Sequence, residues 1–186
     1  MKTCVFDIET SSLYADTGIL LCAVIKEYDC CRPPAVIRAD HFPCWKSNRS
    51  NTKPVVKAVL RALEPFDIFV AHNGQYFDKT MLTSWAVEYG MQPYLRFAKF
   101  IDPVMLARRH MRLSRRSLGN VLQFLGIPEE KTSILWRYWM QATIEGNSRA
   151  LDYIVHHCVM DVQVLEKAYD KMRRLVKGID ERGSAF

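Results

Sequence analysis

The sequence predicts an α/β fold, one mixed β-sheet with helices on its faces. Three observations predict it. Apolar segments of strand length open the chain and are joined by short turns. Segments of helical spacing then alternate with further short strands, and helices alone follow residue 103. A hydrophobic content of 49% over 186 residues suffices for one core, so residues 1–186 read as a single domain.

Residues 1–8 read as a buried strand running into an acidic end. Residues 19–28 (Ile-Leu-Leu-Cys-Ala-Val-Ile and onward) form a second strand, and 35–39 a third, after the Pro33-Pro34 turn. Short connections between them predict an antiparallel meander. The polar stretch 41–53, with Pro43, Asn48, Ser50 and Asn51, reads as a loop. Residues 54–63 carry Val55, Val56, Val59, Leu60 and Leu63 at helical spacing; Pro54 suits a first turn and Pro65 a stop. A short strand at 67–71, a helix at 77–89 stopped by Gly90 and a last strand at 97–101 follow. Helices are predicted at 103–111, 115–125, 132–145 and 148–176.

The net charge is +6 and the pI about 9.0, which suits a polyanionic partner. Arg108, Arg109, His110, Arg112, Arg115 and Arg116 fall within nine residues, and Lys46, Arg49 and Lys53 form a second group. No apolar run reaches the ~18 residues needed to span a bilayer, which excludes a helical membrane anchor within this sequence. The N-terminus enters a strand-like segment at once and does not read as a signal peptide, so a cytoplasmic location is expected. The six cysteines form no C-x-x-C pair; Cys4, Cys22 and Cys158 lie in apolar segments and read as small core residues in a reducing compartment.

Four carboxylates carry the chemistry. Asp7 and Glu9, two apart on a strand, share one face of the sheet, with Phe6 and Ile8 on the other. Two like charges side by side call for a cation between them, and a hard ion such as Mg²⁺ or Mn²⁺ prefers such oxygens. Asp78 falls at the first turn of a helix, after the tight Asn73-Gly74 segment, where the helix dipole favours a negative charge. Asp161 sits among apolar neighbours in the last helix, a place where a charge needs a partner, and shares a helical face with His157 four residues earlier.

In order, these segments resemble the DnaQ-like (DEDD) 3′→5′ exonucleases, whose fold is ribonuclease H-like. Asp7 and Glu9 match a D-x-E motif. His72, Asn73, Phe77 and Asp78 are similar to H-N-x-x-x-F-D, and Asp161 to the third motif, which has a Tyr or His just upstream. Between them, Asp102 to Arg108 resembles D-x-x-x-L-A-R, and Ser117-Leu118 through Leu125-Gly126-Ile127 resembles a further family helix. The resemblance covers residues 3 to about 170. It implies two divalent cations, Mg²⁺ or Mn²⁺, ~4 Å apart, held by Asp7, Glu9, Asp78 and Asp161. It also implies a histidine that positions or deprotonates the attacking water, with nucleoside 5′-monophosphates as products. The histidine branch of the family selects His156 and the tyrosine branch His157. If the last helix runs unbroken from Ser148, His157 faces the metals. If it starts near His157, His156 reaches in from a loop. No breaker interrupts residues 150–169, which favours His157.

The same resemblance makes Leu13 a wedge against the terminal base. Thr10, Ser11 and Ser12 would offer backbone N–H groups to the 3′ end, and Asn73 and Phe77 would contact substrate. Arg108, Arg112, Arg115 and Arg116 read as phosphate contacts, or as a solvated helical face. Trp136, Tyr138 and Trp139 suit base stacking or a core. His72 reads as structural, and Asp102 as a helix cap or a support to the acids. The expected function is exonuclease action on single-stranded DNA, on 3′ ends of duplex DNA, or on RNA. The alternatives are a structure-specific endonuclease and a non-catalytic nucleic-acid-binding subunit. No polymerase segment is visible, so a proofreading role calls for a protein partner; a homodimer is also open. The compact form suits a phage or bacterial DNA-repair enzyme.

Overall fold

The computed structural model describes residues 1–128 and 134–176. Five strands form one sheet: β1 (Thr3–Thr10), β2 (Leu20–Glu27), β3 (Ala35–Arg38), β4 (Ile68–Val70) and β5 (Lys99–Ile101), in the order β3-β2-β1-β4-β5. The first three make the expected antiparallel meander, with Cys4 opposite Glu27 and Glu9 opposite Cys22. β4 and β5 add in parallel, Thr3–Val5 of β1 lying beside Ile68–Val70. The mixed α/β sheet flanked by helices is therefore as the sequence predicts.

Around it lie α1 (Cys44–Ser47), α2 (Lys53–Leu63), α3 (Asp78–Glu88), α4 (Pro103–His110), α5 (Leu118–Phe124), α6 (Trp136–Met140) and α7 (Ser148–Met172). Leu20 to Ile25 of β2 are all buried, so both faces of the inner sheet are covered. α7 packs on β1 and β2, and α2 on β2 and β3. α2 turns Val55, Val56, Val59, Leu60 and Leu63 inward, as their spacing requires. Phe6 meets Phe69 and Phe100 edge-on, both at 6.1 Å between ring centroids.

Several boundaries differ from expectation for identifiable reasons. The stretch 41–53 contains the short helix α1, because Trp45 is buried against the core, and Thr52 Oγ1 accepts the Leu20 N–H at 3.1 Å. Phe97 belongs to a 3₁₀ turn and is exposed, so the last strand begins at Lys99. Ser117 has an extended backbone and α5 starts only at Leu118. The helix expected over 132–145 starts outside the described residues and resolves into α6 followed by a π-type turn, Gln141–Glu145. Arg49, grouped above with Lys46 and Lys53 as a basic stretch, instead donates to the Thr143 and Ile144 carbonyls, both at 2.7 Å. No helix of the described residues is long and apolar enough to cross a membrane.

Candidate active site

The acidic residues reach one place from three elements. β4 ends at Val70, opposite Val5, while β1 continues to Thr10. Beyond Val5 the edge of β1 is left without a strand partner on that side, and its N–H groups need acceptors. Asp78 supplies one. Its Oδ1 accepts from the Ile8 backbone N–H at 3.1 Å, between Asp7 and Glu9, and the residue is 1% exposed. The turn that delivers Asp78 is tightly specified. Asn73 adopts a left-handed backbone with φ 60°, which asparagine tolerates. At Gly74 a Cβ would lie 2.1 Å from the Ala71 Cβ, so only glycine fits.

Asp102 locks this turn. It caps α4 by accepting from the Val104 N–H at 2.9 Å, and also accepts from the backbones of Asn73 at 3.0 Å and Gln75 at 3.4 Å. It is thus both the cap and the support that the sequence left as alternatives. Burial pushes its pKa up, and those N–H donors oppose the shift.

α7 delivers the remaining groups. It runs unbroken from Ser148, capped by the Asn147 side chain, which accepts from the Ala150 N–H at 3.1 Å. Its inward face carries Ile154, Cys158, Val162 and Leu165 into the core. His157 is buried on that side, with Nε2 3.5 Å from Asp161 Oδ2, whereas His156 is exposed. Cys158 lies directly behind the first motif, its Sγ 3.2 Å from Asp7 Oδ2.

The four carboxylates feel one another. Burial raises the Asp7 pKa well above the usual carboxylate range, and repulsion from Asp78, Glu9 and Asp161 adds to it; the Cys158 hydrogen bond opposes it. Glu9 is pushed up to about 8, first by burial and then by Asp161, against a hydrogen bond from Trp139. Asp78 is raised to about 7 by burial, against two backbone N–H groups. Among the described residues no three His, Cys, Asp or Glu side chains already converge tightly enough to hold an ion. The donor set, four hard carboxylate oxygen groups under mutual repulsion, nonetheless fits a hard divalent cation.

The acids of β1 and α3 floor a groove of about 760 Å³. Leu13 and Tyr14 stand on one rim, 75% and 71% exposed, and Trp136 at 67%; Trp139, Asn73 and Phe77 also line it. Thr10 is buried, its hydroxyl donating to the Ser12 carbonyl at 2.6 Å. The Ser11 N–H is taken by the Ile19 carbonyl at 3.0 Å, which removes it from the expected donors to a substrate. Arg108, Arg112, Arg115 and Arg116 are exposed on α4 and the connection after it, and line no part of this groove. Sequence reasoning missed the contacts of Cys158 and Trp139 with the acids. The only available signal was the spacing of Trp136 and Trp139, which puts both on one helical face.

Residues 4–173 match the RNase_H_2 family model of the RNase H superfamily. The chain belongs to the RNase H superfamily. Among solved structures, the family B DNA polymerase from the hyperthermophilic archaeon Pyrobaculum calidifontis is similar, with a TM-score of 0.67 and 17% identity. The alignment covers 91% of this chain and 24% of the polymerase, so the chain spans about a quarter of that protein's length. At that identity the likeness is one of fold. No curated protein matches. Membership of the RNase H superfamily agrees with the mixed five-stranded sheet flanked by helices.

Proposed function

We propose that this chain is a metal-dependent 3′→5′ exonuclease of the DnaQ-like type, acting on single-stranded DNA or RNA or on frayed 3′ ends. The observation that carries the reading is the meeting of Asp7, Glu9, Asp78 and Asp161 within electrostatic reach of one another, three of them beside an open groove. The nuclease fold of the superfamily supports it, and the polymerase likeness is in keeping with a nucleic-acid substrate.

Asp7, Glu9, Asp78 and Asp161 would hold two divalent cations, Mg²⁺ or Mn²⁺. When bound, such ions supply positive charge to the attacking and leaving oxygens of an in-line phosphodiester displacement. His157, held against Asp161, takes the proton of the attacking water at Nε2. His156 is its competitor for that role. Tyr14 and Trp136 offer flat faces to unpaired bases, Leu13 wedges under the terminal base, and Asn73, Phe77 and Thr10 shape the pocket for the 3′ nucleotide. Products would be nucleoside 5′-monophosphates.

A 5′-labelled oligonucleotide, as DNA and as RNA, incubated with Mg²⁺ or Mn²⁺, tests the proposal. A ladder shortening from the 3′ end is the expected result, and a 3′-phosphate block should stall it. Internal cutting of the blocked strand would mean endonuclease action instead. Absence of any cleavage with either metal and either sugar would overturn the assignment.

A further inference from the structure

We propose that the cleft between the edge strand β5 and helix α4 binds the phosphodiester backbone of a single-stranded nucleic acid, upstream of the end held in the acidic groove. This inference rests on the nuclease reading for its substrate class, but concerns a different surface.

No Lys or Arg lines the acidic groove among the described residues, so a strand entering it finds basic side chains only elsewhere. The segment from residue 91 to 128 contains seven Lys and Arg residues and a single acid, Asp102. That acid adds no exposed charge, because it is 3% exposed and its oxygens accept backbone N–H groups. Beside it opens a cleft of about 480 Å³, lined by Lys99, Arg109 and His110 with Tyr76 and Phe100, a volume within the range of ligand sites. Lys99 and Arg109 are exposed, and among the described residues neither is in an ion pair. Lys79 Nζ stands 5.1 Å from the Phe100 ring centroid and brings a further cation. Cations interleaved with aromatic faces suit a single strand, whose backbone is charged and whose unpaired bases stack.

The two surfaces share a wall. Asn73 lines the acidic groove, Gln75 and Tyr76 line the cleft, and Asp102 ties the backbones of residues 73 and 75 to the α4 cap. Tyr76, 59% exposed, lines the cleft three residues along the chain from Asn73. A strand leaving the groove passes over Tyr76 and meets Lys99 and Arg109. Of the basic run 108–116, Arg109 and His110 line the cleft, whereas Arg108, Arg112, Arg115 and Arg116, the residues that the sequence assigned to phosphate contacts, line neither surface.

The test is binding of a fluorescent twelve-nucleotide oligothymidylate, followed by anisotropy in EDTA across a salt series. It uses the wild-type chain, a Lys99→Ala/Arg109→Ala variant and a charge-matched Lys57→Ala/Arg61→Ala control on the exposed face of α2. Two lost contacts should weaken binding roughly tenfold and reduce the slope of log K against log salt by about 1.4, at ~0.7 per phosphate of a single strand. The control should bind as wild type. Equal affinity and slope for the cleft variant and wild type, an equal loss in the control, or no binding by wild type would each overturn the proposal. Cleavage of the same oligonucleotide in Mg²⁺ by the wild type reads the acidic site separately. A chain that binds through the cleft but does not cut would sink the nuclease reading alone.

Discussion

Asp78→Asn removes one charge from the acidic cluster while keeping the oxygen that accepts the Ile8 N–H. The wild-type carboxyl is raised from 3.8 to about 7, roughly three pKa units at ~1.36 kcal/mol each. A group whose folded pKa is raised contributes stability that is fully present below its unfolded pKa and lost as pH rises through the folded one. Asp78 should therefore cost the metal-free protein nothing near pH 3.5, and on the order of 4 kcal/mol above about pH 7. The variant escapes that cost. In EDTA, urea unfolding followed by circular dichroism should show equal stability for the two proteins at low pH. A gain for Asp78→Asn should grow through the window from about pH 4 to 7 and then level off. Adding Mn²⁺ at pH 7.5 to 100 times its Kd should narrow that gap by about 2.7 kcal/mol, since the wild type gains a bound ion and the variant has lost a ligand. A variant no more stable than wild type at pH 8 in EDTA would refute the reasoning, because Asp78 would then carry no uncompensated burial.

Further outcomes follow from the same cluster. Mg²⁺ or Mn²⁺ at 100 times its Kd should raise wild-type stability by about 2.7 kcal/mol, and Asp7→Ala or Asp161→Ala should abolish both that gain and cleavage; a thermal melt with and without metal checks it. His157→Ala should lower kcat by about 10²–10⁴ and His156→Ala far less, and single-turnover rates at saturating metal decide between them. Trp139→Phe deletes the indole N–H that lowers the Glu9 pKa, so Glu9 should hold its proton to still higher pH. Mn²⁺ affinity by calorimetry should then fall at pH 7 and recover towards pH 9. Cys158→Ala should weaken Mn²⁺ binding by loosening Asp7, and Cys158→Ser, which retains a donor, should restore most of it; equal losses would assign Cys158 to packing alone.

Periodicity made much of the fold legible. Alternation put Asp7 and Glu9 on one side of β1 and Phe6 and Ile8 on the other, and the 3.6-residue repeat marked the inward residues of α2. Where tertiary contact outweighs local pattern, the sequence is mute. The segment 41–53 is polar throughout except for residues such as Trp45, yet burial of that one indole is enough to fold a turn of helix around it. The boundary at 97–101 differs for the converse reason: Phe97 favours a strand by type but faces solvent.

The same distinction divides the acidic site. That these four carboxylates stand out was readable because each sits in a setting that disfavours charge. What holds them was not, because the partners come from distant parts of the chain. The Cys158 thiol meets Asp7 across 151 positions, and Asp78 meets the Ile8 backbone across 70. The second contact has a cause visible only in the sheet. Because β4 is just three residues long, β1 projects past it, and the N–H of Ile8 lacks the strand partner that would otherwise take it. A longer β4 would satisfy that N–H and displace Asp78 from the acidic cluster. The shortness of one strand therefore sets where the carboxylates meet, a link from topology to chemistry that no local motif encodes.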